Sequence, residues 1–198
     1  MNSAKICFLI LNYNSYKDTI SFVQHISGQE KNFPLLPILI VDNCSSDHSY
    51  EILFEEFQDN QSIDVIQTEK NGGYGYGNNW GIKYLQKTNN PEFIIISNPD
   101  VTADVAIIPE MVKSFQIDKK IAAVSVQMFN SNNKPQLSAW TFPNLFDDII
   151  LSVGLLKAIF ENPVEYPKTL KPQYVDILQG AFFMIKSKAI REIGGYDE

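Results

Sequence analysis

Four short polar clusters carry the residues whose types and spacing suit chemistry, and each follows an apolar run. Asn12-Tyr13-Asn14 comes after the run ending at Leu11, and Asp42-Asn43-Cys44-Ser45-Ser46-Asp47 after Pro37 to Val41. Asn71 to Asn79 includes four glycines within six residues, and Ser97-Asn98-Pro99-Asp100 follows Phe93-Ile94-Ile95-Ile96. At the end of a buried strand, the Asp42 carboxylate suits hydrogen bonds from a base or a ribose. It equally suits capping of a following helix together with Ser45 and Ser46. Pro99 makes the exit from its strand rigid and aims Asp100 out of the sheet edge. A hard cation such as Mg²⁺ or Mn²⁺ bridging a diphosphate needs only one or two protein carboxylates. The competing reading of Asp100 is a turn residue after proline.

The glycines of Asn71-Gly72-Gly73-Tyr74-Gly75-Tyr76-Gly77-Asn78-Asn79 let backbone approach a ligand closely. Their spacing lacks the third glycine of a dinucleotide fingerprint, and no Lys-Ser or Lys-Thr follows as in a P-loop. The plain reading is a strand-to-helix turn. His25 and His48 have no partners at metal-ligand spacing, and nothing in the sequence suggests a Ser-His-Asp or Cys-His arrangement. Cys7 reads as a small core residue and Cys44 as part of a polar turn, so neither points to a disulfide framework.

These clusters need a scaffold, and the hydrophobic pattern supplies one. Lys5–Leu11, Pro37–Asp42, Ile63–Gln67, Phe93–Ser97 and Ile121–Met128 read as strands. Between them, Tyr16/Thr19/Ile20/Val23, Tyr50/Leu53/Phe54/Phe57, Trp80/Tyr84/Leu85 and Ile108/Met111/Val112/Phe115 recur at helical spacing. Alternating strands and helices predict an α/β fold, a mostly parallel sheet with helices on both faces. In such a sheet ligands bind beyond the carboxyl ends of the strands, where all four clusters fall. The second half is less regular. Asn130–Pro135 is a hairpin candidate, Leu145–Phe160 an apolar segment suited to internal packing, and Pro163, Pro167 and Pro172 break any long helix. Tyr174–Lys186 reads as a strand entering a last helix near Ser187–Ile193. The expected division is 1–128 as a regular α/β half and 129–198 as a smaller, irregular region of the same domain.

The 198 residues suit one domain, and 44% hydrophobic with 20% charged residues is ordinary for a globular protein. A net charge of -7, with sixteen scattered Lys and Arg, argues against nucleic acid as a partner. It leaves room for a local diphosphate pocket. The apolar run Ile6–Leu11 is too short for a signal-peptide core or a membrane span, so the sequence reads as cytoplasmic.

Taken in order, Ile10-Leu11-Asn12-Tyr13-Asn14, Val41-Asp42-Asn43-x-Ser45-x-Asp47, Asn71-x-Gly73 through Gly77-Asn78-x-x-Gly81 and Asn98-Pro99-Asp100-Val101 resemble the family 2 glycosyltransferases of GT-A fold. Asp176-x-x-x-Gly180-Ala181 and Gly194-Gly195-Tyr196-Asp197-Glu198 extend the likeness over essentially the whole chain. It is strongest to the bacterial branch that includes rhamnosyltransferases of surface polysaccharide assembly. The resemblance implies inverting transfer of a sugar from a UDP- or dTDP-sugar, dTDP-rhamnose being what the branch suggests, to a glycan or lipid-linked acceptor. A lipid-linked acceptor would bring peripheral contact with the inner face of the membrane. Asn12, Tyr13 and Asn14 would line the nucleotide pocket, Asp42 would read the pyrimidine, and Asn71, Gly72, Gly73 and Asn78 would lie against nucleotide and sugar. Asn98-Pro99-Asp100 stands where the family has Asp-x-Asp, which makes Asp100 the implied Mg²⁺ or Mn²⁺ ligand and Asn98 part of the donor site. In the family the general base usually lies in an acidic motif beyond Gly-Gly-x-Asp-Glu. The implied reading is therefore a fragment or truncated product, with Asp176 and Asp197 as substitute bases. The alternative is a non-catalytic nucleotide-sugar-binding domain. A nucleotidyltransferase is disfavoured because Leu11–Tyr16 has no glycine, and a dehydrogenase by the failed fingerprint.

Overall fold

The computed structural model describes residues 5–29, 36–136, 138–140 and 172–198. The central strands are β1 (Ile6–Asn12), β2 (Ile38–Asp42), β3 (Ile63–Gln67) and β4 (Phe93–Ser97). β1 lies parallel to β2 and to β4, and β2 parallel to β3. β2 and β4 are buried along their whole length, as expected of continuous apolar runs covered on both faces. Two further strands are β5 (Ala123–Ser125) and β8 (Phe182–Lys186), and β8 runs antiparallel to β4. Together they form a six-stranded sheet in the order β3-β2-β1-β4-β8-β5.

Alternation along the strands divides the core. Cys7, Leu9, Leu39, Val41, Ile94, Ile96, Phe183 and Ile185 share one face, where Ile82 and Leu85 of α3 (Gly73–Thr88) and Ile190 of α5 (Ser187–Glu192) cover them. Phe8 faces the other way and meets Phe22 of α1 (Tyr16–Ser27) edge to face at 6.5 Å. α1 buries Thr19, Phe22, Val23 and Ile26, the apolar stripe expected of its period. α2 (Ser49–Phe57) follows β2, and α4 (Ile108–Ser114) follows a 3₁₀ turn at Val105–Ile107. The expected mostly parallel sheet, clothed on both faces, is present.

Three segments depart from expectation. α3 begins at Gly73, two turns before Trp80, so most of the glycine-rich stretch is helix rather than loop. A Cβ on Gly77 would collide with Leu11 Cδ1, and one on Gly81 would collide with Leu9 Cδ1. These glycines, four apart on one helix face, let α3 press against β1 and β2. β5 is three residues long instead of the eight from Ile121 to Met128. Beyond it the Gln127 amide turns to the carbonyls of Met128 and Gln136, and Phe129 pairs with Pro135 in an isolated antiparallel bridge. That bridge, closed by Asn130 N–H on Lys134 O at 2.9 Å, is the expected hairpin. Tyr174–Lys186 forms two strands, β7 (Ile177–Leu178) and β8, separated by a turn at Gly180.

The chain forms two compact units, Met1–Val124 with Gly180–Glu198, and Ser125–Gln179. The larger carries the sheet. The smaller holds β6 (Ala139–Trp140) antiparallel to β7. Leu145–Phe160, Pro163 and Pro167 lie outside the described residues. No helix among the described residues is long and apolar enough to cross a membrane.

Candidate functional site

The carboxyl ends of β1, β2 and β3 meet in one hydrogen-bond network centred on Asp42. Register places Asn12 and Gln67 on either side of it. Asp42 is fully buried, and both of its oxygens are engaged. Oδ1 accepts from Asn12 Nδ2 at 2.9 Å and Ser45 Oγ at 2.6 Å. Oδ2 accepts from Ser45 N–H at 2.9 Å and Gln67 Nε2 at 3.1 Å. Asn12 is held from its other end, where Oδ1 accepts from Thr19 Oγ1 of α1 at 2.7 Å. Asn14, at φ 51°, donates its backbone N–H to Ser45 Oγ and accepts from Ser46 N–H, both at 2.9 Å. Tyr13 between them stands 46% exposed at the sheet edge.

A second network adjoins it. Asn43 Nδ2 donates to Asn71 Oδ1 and to Gly73 O, each at 3.1 Å, and Asn71 Oδ1 also accepts from Gly73 N–H at 3.0 Å. The start of α3 is thereby tied to the turn after β2. Gly73, at φ +84°, has nothing within 4 Å of where a Cβ would stand, so this turn faces open space. Asn78, by contrast, is fully buried and donates back to Tyr74 O, one turn earlier, at 2.9 Å. Asp47 accepts from Ser49 N–H and Oγ and so supplies the cap of α2, with His48 as the N-cap residue at φ 61°.

Asp100 lies beyond β4 and is exposed. It lines a pocket of ≈ 240 Å³ with Asp18, Ser21 and His25 of α1 and with Pro99, Val101 and Thr102. Asp42 and Asp100 therefore share the carboxyl edge of the sheet but not one open surface. No group of three His, Cys, Asp or Glu among the described residues is arranged to hold a metal ion. A divalent cation that takes most of its shell from phosphate and water needs fewer. Asp100 and Asp18 both line this pocket, and a carboxylate oxygen is the donor type such a cation takes. Asn98 contributes its backbone N–H to Ala181 O at 2.9 Å, which ties the turn to the start of β8.

The segment Gly194–Glu198 docks on α3. Asn79, nearly buried, accepts from Tyr196 N–H at 2.8 Å and donates to Tyr196 O at 2.9 Å and Glu198 Oε1 at 2.8 Å. Tyr74 and Tyr196 meet edge to face at 5.8 Å, and the Tyr74 hydroxyl donates to Gly180 O at 2.7 Å. Burial pushes the Tyr74 phenol up to about 12 and raises that of Tyr196 further. Asp197 is exposed, with its carbonyl facing Gly75. Asp176 lies at the entry to β7 in the smaller unit.

The sequence motifs do not single out Gln67, Asn43 or Asn79 as members of these networks. Asn79 sits in the same motif as Asn78, and only helical phase separates the clamp from its buried neighbour. Gln67 is visible only through the pairing of β2 with β3.

A mostly parallel sheet with polar turns at its carboxyl edge, and an antiparallel return strand beside β4, is the architecture of the GT-A glycosyltransferases. Solved structures agree. A GalNAc-T7 structure with UDP, GalNAc and Mn²⁺ superposes with a TM-score of 0.68 at 16% identity, over 99% of this chain and 38% of that one. The mannosyltransferase PcManGT of Pyrobaculum calidifontis, in complex with GDP-Man and Mn²⁺, gives 0.64 at 16% identity, over 98% and 48%. In sequence, residues 7–194 match the family described as Glycosyl transferase family 2, and the chain belongs to that family. It is similar to the low-salt glycan biosynthesis hexosyltransferase Agl10 of Haloferax volcanii, 27% identical over 98% of this chain and 56% of the relative. It is also similar to poly-beta-1,6-N-acetyl-D-glucosamine synthase of Staphylococcus epidermidis, 24% identical over 97% and 42%. The chain thus spans about half the length of these curated relatives.

Proposed function

We propose that the carboxyl edge of β1–β4 binds a UDP- or dTDP-linked sugar, and that the protein transfers this sugar with inversion to a glycan or lipid-linked acceptor of surface polysaccharide. The observation that carries the reading is the joining of Asn12, Asn14, Asp42, Ser45 and Gln67 into one network at the sheet edge. The Asn43–Asn71–Gly73 bridge beside it opens onto free space. This is a rigid rim of hydrogen-bonding groups of the kind that orients a polar ligand.

In this reading Tyr13 lies against the base, and Asn71, Gly72 and Gly73 present backbone and amide groups to the nucleotide and its sugar. Asp100, with Asp18 lining the same pocket, would hold Mg²⁺ or Mn²⁺. When bound, the ion offsets charge developing on the nucleoside diphosphate leaving group. Asn98 braces the Asp100 turn against β8. Asp197 and Asp176 are the carboxylates of this chain proposed to take the acceptor proton, and Asp197 is held against α3 through its neighbours Tyr196 and Glu198. Metal-supported donor binding at the cytoplasmic face of a membrane, without nucleic acid, completes the reading.

Calorimetric titration of UDP, dTDP and GDP with and without Mn²⁺ tests it. Metal-enhanced binding of UDP or dTDP over GDP supports the donor site, and binding of none of them overturns it. A second reading is a nucleotide-sugar-binding domain without transfer activity of its own. Donor binding without sugar transfer to any acceptor would select it.

A further inference from the structure

We infer that Gln67, oriented by Asp42, is the specificity-determining residue that reads the N3–H edge of a uracil or thymine base. The inference rests on the donor-site reading above and assigns within it a residue that the sequence motifs pass over.

A carboxylate can only accept. Asp42 offers no donor, so the group that Gln67 presents to it is the amide NH₂. The 3.1 Å contact from Gln67 Nε2 to Asp42 Oδ2 thereby settles which way the amide faces. Amide orientation is ambiguous on an isolated surface glutamine, but not beside a group that cannot donate. Gln67 Oε1 must then point away from Asp42. Among the described residues no hydrogen bond to Gln67 Oε1 is formed, and the Gln67 side chain is exposed.

Asp42 itself is badly placed to meet a base directly. It is fully buried, and Asn12, Ser45 and Gln67 occupy both oxygens with four donors. A ligand N–H would have to displace one of them. Gln67 relays the preference outward instead: a buried acceptor fixes an amide, and the amide shows one carbonyl acceptor at the rim. Its position fits. Gln67 closes β3 in register with Asp42, and Ser45, which shares Oδ2 with it, also receives the Asn14 N–H beside the exposed Tyr13.

A fixed acceptor discriminates by ligand protonation pattern. Uracil and thymine carry a donor at N3, whereas N3 of cytosine is an acceptor, and N3-methylation removes the donor while leaving the rest of the base in place. The experiment is a two-by-two calorimetric comparison of UDP and 3-methyl-UDP, with Mn²⁺, on the wild-type chain and on Gln67→Leu. Wild type is expected to bind UDP about tenfold more tightly than 3-methyl-UDP, the size of one good hydrogen bond. In Gln67→Leu the two ligands are expected to bind equally, at the level of 3-methyl-UDP on wild type. Gln67→Glu keeps an acceptor but sets a second carboxylate beside Asp42, and it is expected to lose UDP affinity as well. Circular dichroism melts confirm that each variant is folded. A methylation penalty that survives in Gln67→Leu overturns the inference, because another group then reads N3. Tighter UDP binding by Gln67→Leu overturns it too, since Gln67 would then be covering Asp42 rather than reading the base. If wild type binds no uridine or thymidine nucleotide, the donor-site reading itself fails and takes this role with it.

Discussion

Two carboxylates at one sheet edge, Asp42 and Asp100, have opposite surroundings, and different consequences follow from removing each. Asp42 gathers donors from β1, β3 and the turn after β2. Asp42→Ala leaves the fully buried Asn12 amide with only a long 3.4 Å contact to Ser45 Oγ, and is expected to cost about 3 kcal/mol, in the range for buried donors that lose their partner. Urea denaturation measures this, and a loss below about 1 kcal/mol would mean that the network is not what joins these strands. Asp100 is exposed, so Asp100→Ala is expected to shift stability by no more than about 0.5 kcal/mol. It should nevertheless abolish the Mn²⁺ enhancement of nucleotide binding. Binding that stays equally metal-dependent in Asp100→Ala removes Asp100 from the metal site. Residue types at strand ends mark both positions in the sequence. The choice between a base contact and a cap for Asp42 is not legible there, because its partners come from Asn12 and Gln67, and strand register alone brings them to it.

The elements are legible in proportion to how strongly burial dictates them. β1, β2 and β4 are continuous apolar runs, and their limits in the structure fall within two residues of those read from the sequence. α3 is the element that the sequence hides, because glycine's low helix propensity argues for a turn where packing has won. Gly77 and Gly81 let the helix axis approach the sheet, and the contacts of Ile82 and Leu85 with Leu9 and Val41 outweigh the local cost. Gly81→Ala tests the balance. Helix propensity favours alanine by about 1 kcal/mol. A Cβ colliding with Leu9 Cδ1 and 2.9 Å from Val41 Cγ2 must however displace buried core atoms, an overpacking cost of about 1–3 kcal/mol. Net destabilisation is expected in urea. A more stable Gly81→Ala would show that α3 has room to move off the sheet. Gly75→Ala acts at the other surface of the helix, where its Cβ would fall 2.5 Å from Asp197 O. The expected effect is local: faster hydrogen exchange at Tyr196 N–H, now bonded to Asn79 Oδ1, with little change in amides of β1 or β4.

At the scale of the whole molecule, the groups that couple the parts titrate in the alkaline range, and this fixes how the fold responds to pH. Cys7 lies at the centre of the sheet with no exposure, and burial raises its thiol from 9.0 to about 11. Tyr74 and Tyr196, which join α3 to the C-terminal segment, are likewise raised by burial, the first to about 12. Each is an acid whose neutral form is preferred in the folded state. Below pH 9 folded and unfolded chains hold the same protons at these groups, and their contribution is fully present. From pH 9 upward the unfolded chain releases the Cys7 proton while the folded chain keeps it until about 11. Stability must fall as pH rises through that window, by at most about 1.4 kcal/mol per pH unit for one group. The tyrosines steepen the decline above pH 10. Tyr74 is more than a third exposed, so solvent screens its share, and the larger part of this decline falls to Tyr196. Urea midpoints measured from pH 8 to 11 should therefore be level up to about 9 and then decline. Cys7→Ala should remove the decline between 9 and 10 and lessen it between 10 and 11. Tyr196→Phe should leave the part between 9 and 10 and lessen the part above 10. If Cys7→Ala follows the wild-type profile throughout, the thiol is not sealed within the sheet and β1 does not lie at its centre.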